Sequence, residues 1–186
     1  MIKIGITGSI ASGKTTASNF LAKGRGPLFC ADKVIAKIYK SRNFKNLIKK
    51  KFGINNNIKK SLKKLIFKDK NNLKKLEKIV HPLAREKMKQ FTSRYKNRKM
   101  LFYEIPLLVE SKLMKFFNVI IFIKSKKTLR LQRFISRHGD KKLFKLLDNK
   151  QMSQHKKIKY CDHVVVNEKN LKTLKNKLSI VISKYE

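Results

Sequence analysis

Eight consecutive residues near the start of the chain, Gly8-Ser9-Ile10-Ala11-Ser12-Gly13-Lys14-Thr15, carry the clearest chemical potential in the sequence. They fit the spacing G-x-x-x-x-G-K-[ST], in which two glycines let the backbone wind so that successive N–H groups converge on a phosphate. In such a loop Lys14 reaches the outer phosphates, Thr15 offers a hydroxyl to Mg²⁺, and the helix that begins there adds the positive end of its dipole. Gly8, Ser9, Ile10, Ala11, Ser12, Gly13, Lys14, Thr15 and Thr16 are therefore expected to hold the phosphates of ATP, with Thr15 as the metal ligand and Lys14 also acting on the transferred group. Only backbone N–H groups are used at Ser9 and Ala11, so their small side chains should fit.

The motif needs a strand before it and a helix after it, and the flanking residues supply both. Ile2, Ile4 and Ile6 alternate through residues 1–7, and Thr16, Ala17, Phe20 and Leu21 give helical spacing up to Lys23 and Gly24. A short strand through Leu28, Phe29 and Cys30 completes one βαβ unit. Residues 32–99 read as several short basic helices, carried by Val34/Ile35/Ile38, Phe44/Leu47/Ile48, Leu62/Leu65/Ile66, Leu73/Leu76/Ile79/Val80 and Leu83/Met88/Phe91/Tyr95, with a loop at 53–57. Continuous apolar runs at 100–105, 119–123 and 163–166 have the character of strands buried on both faces of a parallel sheet. Residues 125–159 are helical and studded with Lys and Arg, and a closing helix spans 170–185. Strands alternating with helices predict a three-layer α/β/α fold around a five-stranded, mainly parallel sheet.

Which phosphate chemistry follows depends on what else is present. A guanine-reading N-K-x-D is absent, since Asn149-Lys150 runs into Gln151-Met152, and the apolar run from Met100 ends at Glu104 rather than in the Asp-Glu of motor-type ATPases. Arg133 and Arg137, four apart and one turn beyond Arg130, would share a helix face and could both aim at phosphate oxygens, although a solvated basic face has the same pattern. A short chain with this loop at its start and an Arg-bearing helical segment two-thirds along fits a small-molecule kinase whose lid closes over ATP.

Lys+Arg 48 against Asp+Glu 11 gives a formal charge of +37, which excludes an acidic ion-binding protein and favours phosphate-bearing partners. Yet the cations are 40 Lys and 8 Arg, and Lys, Asn, Ile, Phe and Tyr, whose codons are AT-rich, make 90 of the 186 residues. Base composition at solvated positions accounts for that excess, and readers of nucleic acid favour Arg. No specific nucleic acid partner is expected. Cys30 and Cys161 are too few and too distant for a disulfide framework, and the four His make no zinc pattern, in keeping with a reducing cytoplasm. No apolar stretch approaches the ~18 residues of a membrane span.

Taken in order, Thr7 to Thr16, Cys30-Ala31-Asp32, His81-Pro82, Ile105-Pro106-Leu107-Leu108-Val109-Glu110, Arg133 and Arg137, Gln151, and the stretch from Asp162 to Asn167 resemble the dephospho-CoA kinase family across essentially the whole chain. The resemblance implies transfer of the ATP γ-phosphoryl group to the 3′-hydroxyl of dephospho-CoA, the last step of coenzyme A synthesis. It also implies that Asp32 faces the acceptor hydroxyl, that Asn167 meets the adenine end of ATP, and that His81 and Glu110 lie near the acceptor. Three of them have a plainer reading: Asp32 as the N-cap of a helix over 34–39, Asn167 as the start of a turn, and His81 as an extended residue ahead of a helix opened by Pro82. The family commonly has Gly where this chain has Ser9 and Ala11. The Lys-rich stretch 40–75 matches no motif.

The expectation is one P-loop kinase domain over 1–186, with a helical acceptor region at 34–98 and a lid at 126–155. Two alternatives remain open on sequence grounds. One is the same fold acting on another nucleoside or nucleotide; the other is a basic nucleic-acid-binding NTPase, marked by a steep salt dependence.

Overall fold

The computed structural model describes residues 1–54, 61–62, 64–65 and 69–186. Among them lie five strands: β1 (Ile2–Gly8), β2 (Leu28–Cys30), β3 (Met100–Glu104), β4 (Val119–Lys124) and β5 (His163–Val166). All neighbours are parallel and the order is β2-β3-β1-β4-β5. The apolar runs form central strands because both faces are covered: every residue of β3 is buried, and β4 is buried up to its final Lys124. Side chains alternate. Ile4, Ile6, Phe102, Ile121 and Ile123 pack with Ala17 and Leu21 of α1 (Lys14–Ala22) and with Leu174, Leu178 and Ile182 of α8 (Leu171–Ile182). On the other face Tyr103 meets Phe29, Phe116 and Phe117, and Gly5 is required because a Cβ there would lie 2.8 Å from Leu108 and 3.1 Å from Phe117.

The chain divides into two compact units, Met1–Cys30 with Tyr95–Glu186, and Ala31–Arg94. The first holds the sheet, α1, α8 and three helices of the expected lid: α5 (Lys127–Ile135), α6 (Lys141–Asn149) and α7 (Gln154–Ile158). The second contains α2 (Ala31–Lys40), α3 (Arg42–Phe52) and α4 (Lys70–Arg94) around Ile38, Phe44, Ile48, Ile54, Leu62, Leu76 and Val80. Ile66 and most of the expected loop at 53–57 fall outside the described residues. Three boundaries differ from the sequence reading. The helix expected from Val34 begins at Ala31, so Asp32 lies in its first turn rather than at its cap. The two helices expected on either side of His81 are one, with Pro82 inside α4, so His81 is helical and exposed. The apolar faces on both sides of Pro82 (Leu76 and Val80 before it, Met88 after it) are buried, and their burial outweighs the proline's preference for an extended predecessor. The third difference is that α5 stops at Ile135, capped by Ser136, so Arg137 lies beyond it and does not share a helix face with Arg133.

Candidate active site

The loop between β1 and α1 takes the winding its glycines permit. Gly8 has φ 151°, Gly13 caps α1 at φ 96°, and Ala11 occupies left-handed backbone at φ 57°. A side chain at Gly8 would put a Cβ 2.6 Å from the Ile123 carbonyl oxygen, and one at Gly13 would run into the Asn167 amide. Ala11 is a departure with a cost, since left-handed backbone disfavours a residue with a Cβ by about 1–2 kcal/mol. Strain of this size persists only where neighbours over-determine the loop.

Those neighbours are distant in sequence and near in space. The Gln151 side-chain oxygen accepts from the Ile10 N–H at 3.1 Å, Arg130 Nη1 donates to the Ile10 carbonyl at 3.4 Å, and Asn167 Nδ2 donates to the Ser12 carbonyl at 2.8 Å. Lys14 is buried and its Nζ donates to the Ser9 carbonyl at 2.9 Å, so the ammonium lies across the loop it belongs to. Thr15 Oγ1 donates to Glu104 Oε1 at 2.5 Å, placing a buried carboxylate from the end of β3 directly against the expected metal-binding hydroxyl. The β1–β3 register, Ile6 opposite Glu104, produces that meeting. Glu104 was not a site candidate from sequence; it reads there as the polar end of an apolar run.

The three arginines separate. Arg130 is almost wholly buried, pairs with Asp148 Oδ1 at 2.6 Å and lies over the Phe144 ring at 5.6 Å, tying α5 to α6 and to the P-loop. Burial raises the Asp148 carboxyl, but Arg130 and Lys127, the latter at 3.3 Å, outweigh it and hold the group below its ordinary value. The clamp is therefore fully charged at neutral pH, and its contribution fades as pH falls through that depressed value. Arg133 donates to Ser125 Oγ at 3.2 Å and to the Asn167 carbonyl at 3.1 Å, linking α5 to the residue that holds Ser12. Arg137 is exposed.

Glu110 is engaged within the protein. Its Oε1 pairs with Lys157 Nζ at 2.8 Å and accepts from the Met152 N–H at 3.0 Å. Asp162, a member of the motif series, accepts from the Ile120 N–H at 2.7 Å while its own N–H reaches the Ile120 carbonyl, which registers β5 on β4. Asp32 and His81 lie in the 31–94 unit, both exposed. Asp32 follows β2 by two residues, where Cys30 is paired with Glu104 across the sheet. The Cys161 thiol is pushed up to about 12 by burial and by Asp162, so it stays protonated and unreactive near neutral pH.

A glycine-wound loop at the carboxyl ends of parallel strands, met by Arg130 of α5, is an arrangement that suits a kinase. The dephospho-CoA kinase family model matches residues 2–173. The chain belongs to the dephospho-CoA kinase family. Dephospho-CoA kinases of Bartonella henselae and Fusobacterium nucleatum are each 34% identical to it, the first over 96% of this chain and 95% of its own, the second over 94% of both. Among solved structures, the Thermus thermophilus protein TT1252 superposes with a TM-score of 0.86 at 27% identity, covering 100% of this chain and 98% of its own. A Campylobacter jejuni dephospho-CoA kinase gives 0.69 at 25%, covering 98% and 96%. A Bacteroides thetaiotaomicron shikimate kinase, TM-score 0.58 at 12% identity over 98% and 97%, shares the fold alone. As a dephospho-CoA kinase family member the chain is a phosphotransferase acting on a hydroxyl acceptor, with ATP as donor.

If Arg133 and Arg137 bear on charge developing at the transferred group, Arg133→Ala and Arg137→Ala each slow turnover by roughly 10- to 1000-fold in a steady-state assay. Because Arg133 also holds the Asn167 carbonyl and Arg137 lies in exposed backbone beyond the helix, a fall in melting temperature is expected for Arg133→Ala and not for Arg137→Ala.

Proposed function

We propose that this P-loop and lid transfer the γ-phosphoryl group of ATP to the 3′-hydroxyl of dephospho-CoA, giving coenzyme A, with Asp32 as the group that orients and deprotonates the acceptor. The observation that carries the donor half is the loop itself, wound through three positive-φ positions and braced at Ile10 and Ser12 from across the fold. In this reading backbone N–H groups of residues 9–15 and Lys14 Nζ hold the triphosphate. Arg133 and Arg137 approach it from the lid, and Asn167 lies toward the adenine end. Phosphoryl transfer asks for positioning and charge management more than for covalent chemistry, and one carboxylate suffices for the nucleophile. His81 and Glu110 complete the acceptor-side set. The paired state of Glu110 favours a role through the loop it anchors over one in direct contact.

Mg²⁺ suits the donor set at Thr15. Glu104 Oε1 already meets the Thr15 hydroxyl, and its Oε2 is buried with no hydrogen-bond partner among the described residues, an orphaned hard oxygen where a hard cation finds ligands. Thr15 and Glu104 would hold the ion, which when bound neutralises phosphate charge. Glu104→Gln keeps the shape and removes the charge. We expect the Mg²⁺ concentration for half-maximal rate to rise by roughly 10- to 100-fold, read from a metal titration at saturating ATP. An unchanged titration would assign Glu104 to the fold alone.

The setting that fits two unbridged cysteines is the cytoplasm, and the +37 charge is best read as solvated lysine surface without a specific nucleic acid partner. Among the described residues no helix is long and apolar enough to cross a membrane. The deciding experiment is coupled ADP release with dephospho-CoA, adenosine and AMP in parallel. Stimulation by dephospho-CoA alone is expected, and equal turnover with AMP would transfer the enzyme to another acceptor.

A further inference from the structure

Lys157 is one of 40 lysines, yet its side chain is 0% exposed. Desolvating an ammonium is costly unless its partners are well placed, so a fully buried lysine in a chain this rich in surface lysine calls for a reason. Its partners supply one. Nζ pairs with Glu110 Oε1 at 2.8 Å and donates to the Pro106 carbonyl at 3.2 Å. That same carbonyl accepts from Thr7 Oγ1 at 3.1 Å, one residue ahead of the P-loop, and the same Glu110 oxygen accepts from the Met152 N–H. Next to Met152, Gln151 holds the P-loop at Ile10. Residues 151–157 thus form a strap, attached to the P-loop at one end and, through Lys157, to the loop leaving β3 at the other.

We propose that Lys157 is a positioning residue for phosphoryl transfer: by pinning Glu110 and Pro106 it fixes the strap whose Gln151 sets the height of the P-loop at Ile10. It touches neither substrate. A displacement near 1 Å in such a support can cost about 100-fold in rate while the phosphates are still bound, because alignment is lost before affinity.

The test separates positioning from charge balance. Lys157→Met alone takes the paired cation from a largely buried carboxylate and leaves it only the Met152 N–H, so it lowers stability and rate under either view. Lys157→Met with Glu110→Gln removes both charges. We expect this double variant to regain most of the lost melting temperature, while kcat stays at least about 10-fold below wild type and KM for ATP and for dephospho-CoA each move less than about 3-fold; a larger rise in KM for dephospho-CoA would assign the loss to Glu110 at the acceptor and overturn the proposal. Gln151→Ala should show a similar kcat loss, and adding Lys157→Met to it should cost little more, since both act through one strap. Recovery of kcat together with stability, or fully additive losses with Gln151→Ala, would overturn the proposal. If the charge-neutral double does not fold, Lys157→Gln takes its place, with an amide that keeps one of the two hydrogen bonds. Wild-type kcat in folded Lys157→Gln, or failure of that variant to fold as well, would make the pin a determinant of folding and not of alignment.

Discussion

Lys14→Ala is expected to lose activity by roughly 1000-fold or more in kcat/KM while the protein stays folded. The ammonium is buried and spans the P-loop to Ser9, so its positive charge is already desolvated and aimed within the loop proposed to receive the triphosphate. A charge held that way costs no reorganisation when negative charge develops on the transferred group, which is where electrostatic assistance is largest. Its loss is not a loss of core: Ala17, Leu21 and Ala22 bury the helix, and Lys14 lies at its first position. The melting temperature should stay within about 5 °C of wild type, which for a chain of this size corresponds to one or two kcal/mol. Calorimetric titration with ATP and thermal melts on the same preparation provide the check. A collapse of the melt would recast Lys14 as a structural brace of its own loop.

Asp32→Asn is expected to slow turnover by roughly 100-fold or more and to leave ATP affinity nearly unchanged. The amide preserves shape but neither accepts a proton nor brings a full negative charge to an acceptor hydroxyl. The structure sharpens the alternative. Asp32 is in the first turn of α2 and not at its cap, so a structural role includes the interaction of a carboxylate with the helix dipole, worth about 0.3–1 kcal/mol. That loss would appear as a small drop in melting temperature with normal kcat. An Asp32→Asn protein that binds ATP and phosphorylates dephospho-CoA at near the wild-type rate would remove Asp32 from the mechanism.

What could be read from the residues alone was what is local. The P-loop announces itself in eight adjacent positions, and β3 and β4 do so because a strand buried on both faces must be continuously apolar. The helix boundary at Asn170 was equally plain, an Asn whose side chain accepts from the Thr173 N–H. Two errors have different causes. Pro82 lies inside a helix kept continuous by the burial of Leu76, Val80 and Met88, whereas α5 ends before Arg137 for a local reason, with His138 in left-handed backbone and the Gly139 N–H turned back to the Phe134 carbonyl. The bracing of the site was least legible. Glu104 has meaning only through strand register, and Lys157 cannot be told from the many other lysines without knowing that Glu110 and Pro106 lie beside it. Gln151 belonged to the motif series, but nothing near it in sequence points to the Ile10 amide.

The braces of the P-loop also set a timetable. Gln151, Arg130 and Asn167 lie 141, 120 and 155 residues downstream of the backbone groups they hold. During synthesis the glycine-rich turn is made well before the three groups that brace it at Ile10 and Ser12, so these long-span contacts form late. A nascent chain would carry the loop through that interval without its braces. A loop held at both Ile10 and Ser12 would have to wait for Asn167, just beyond β5.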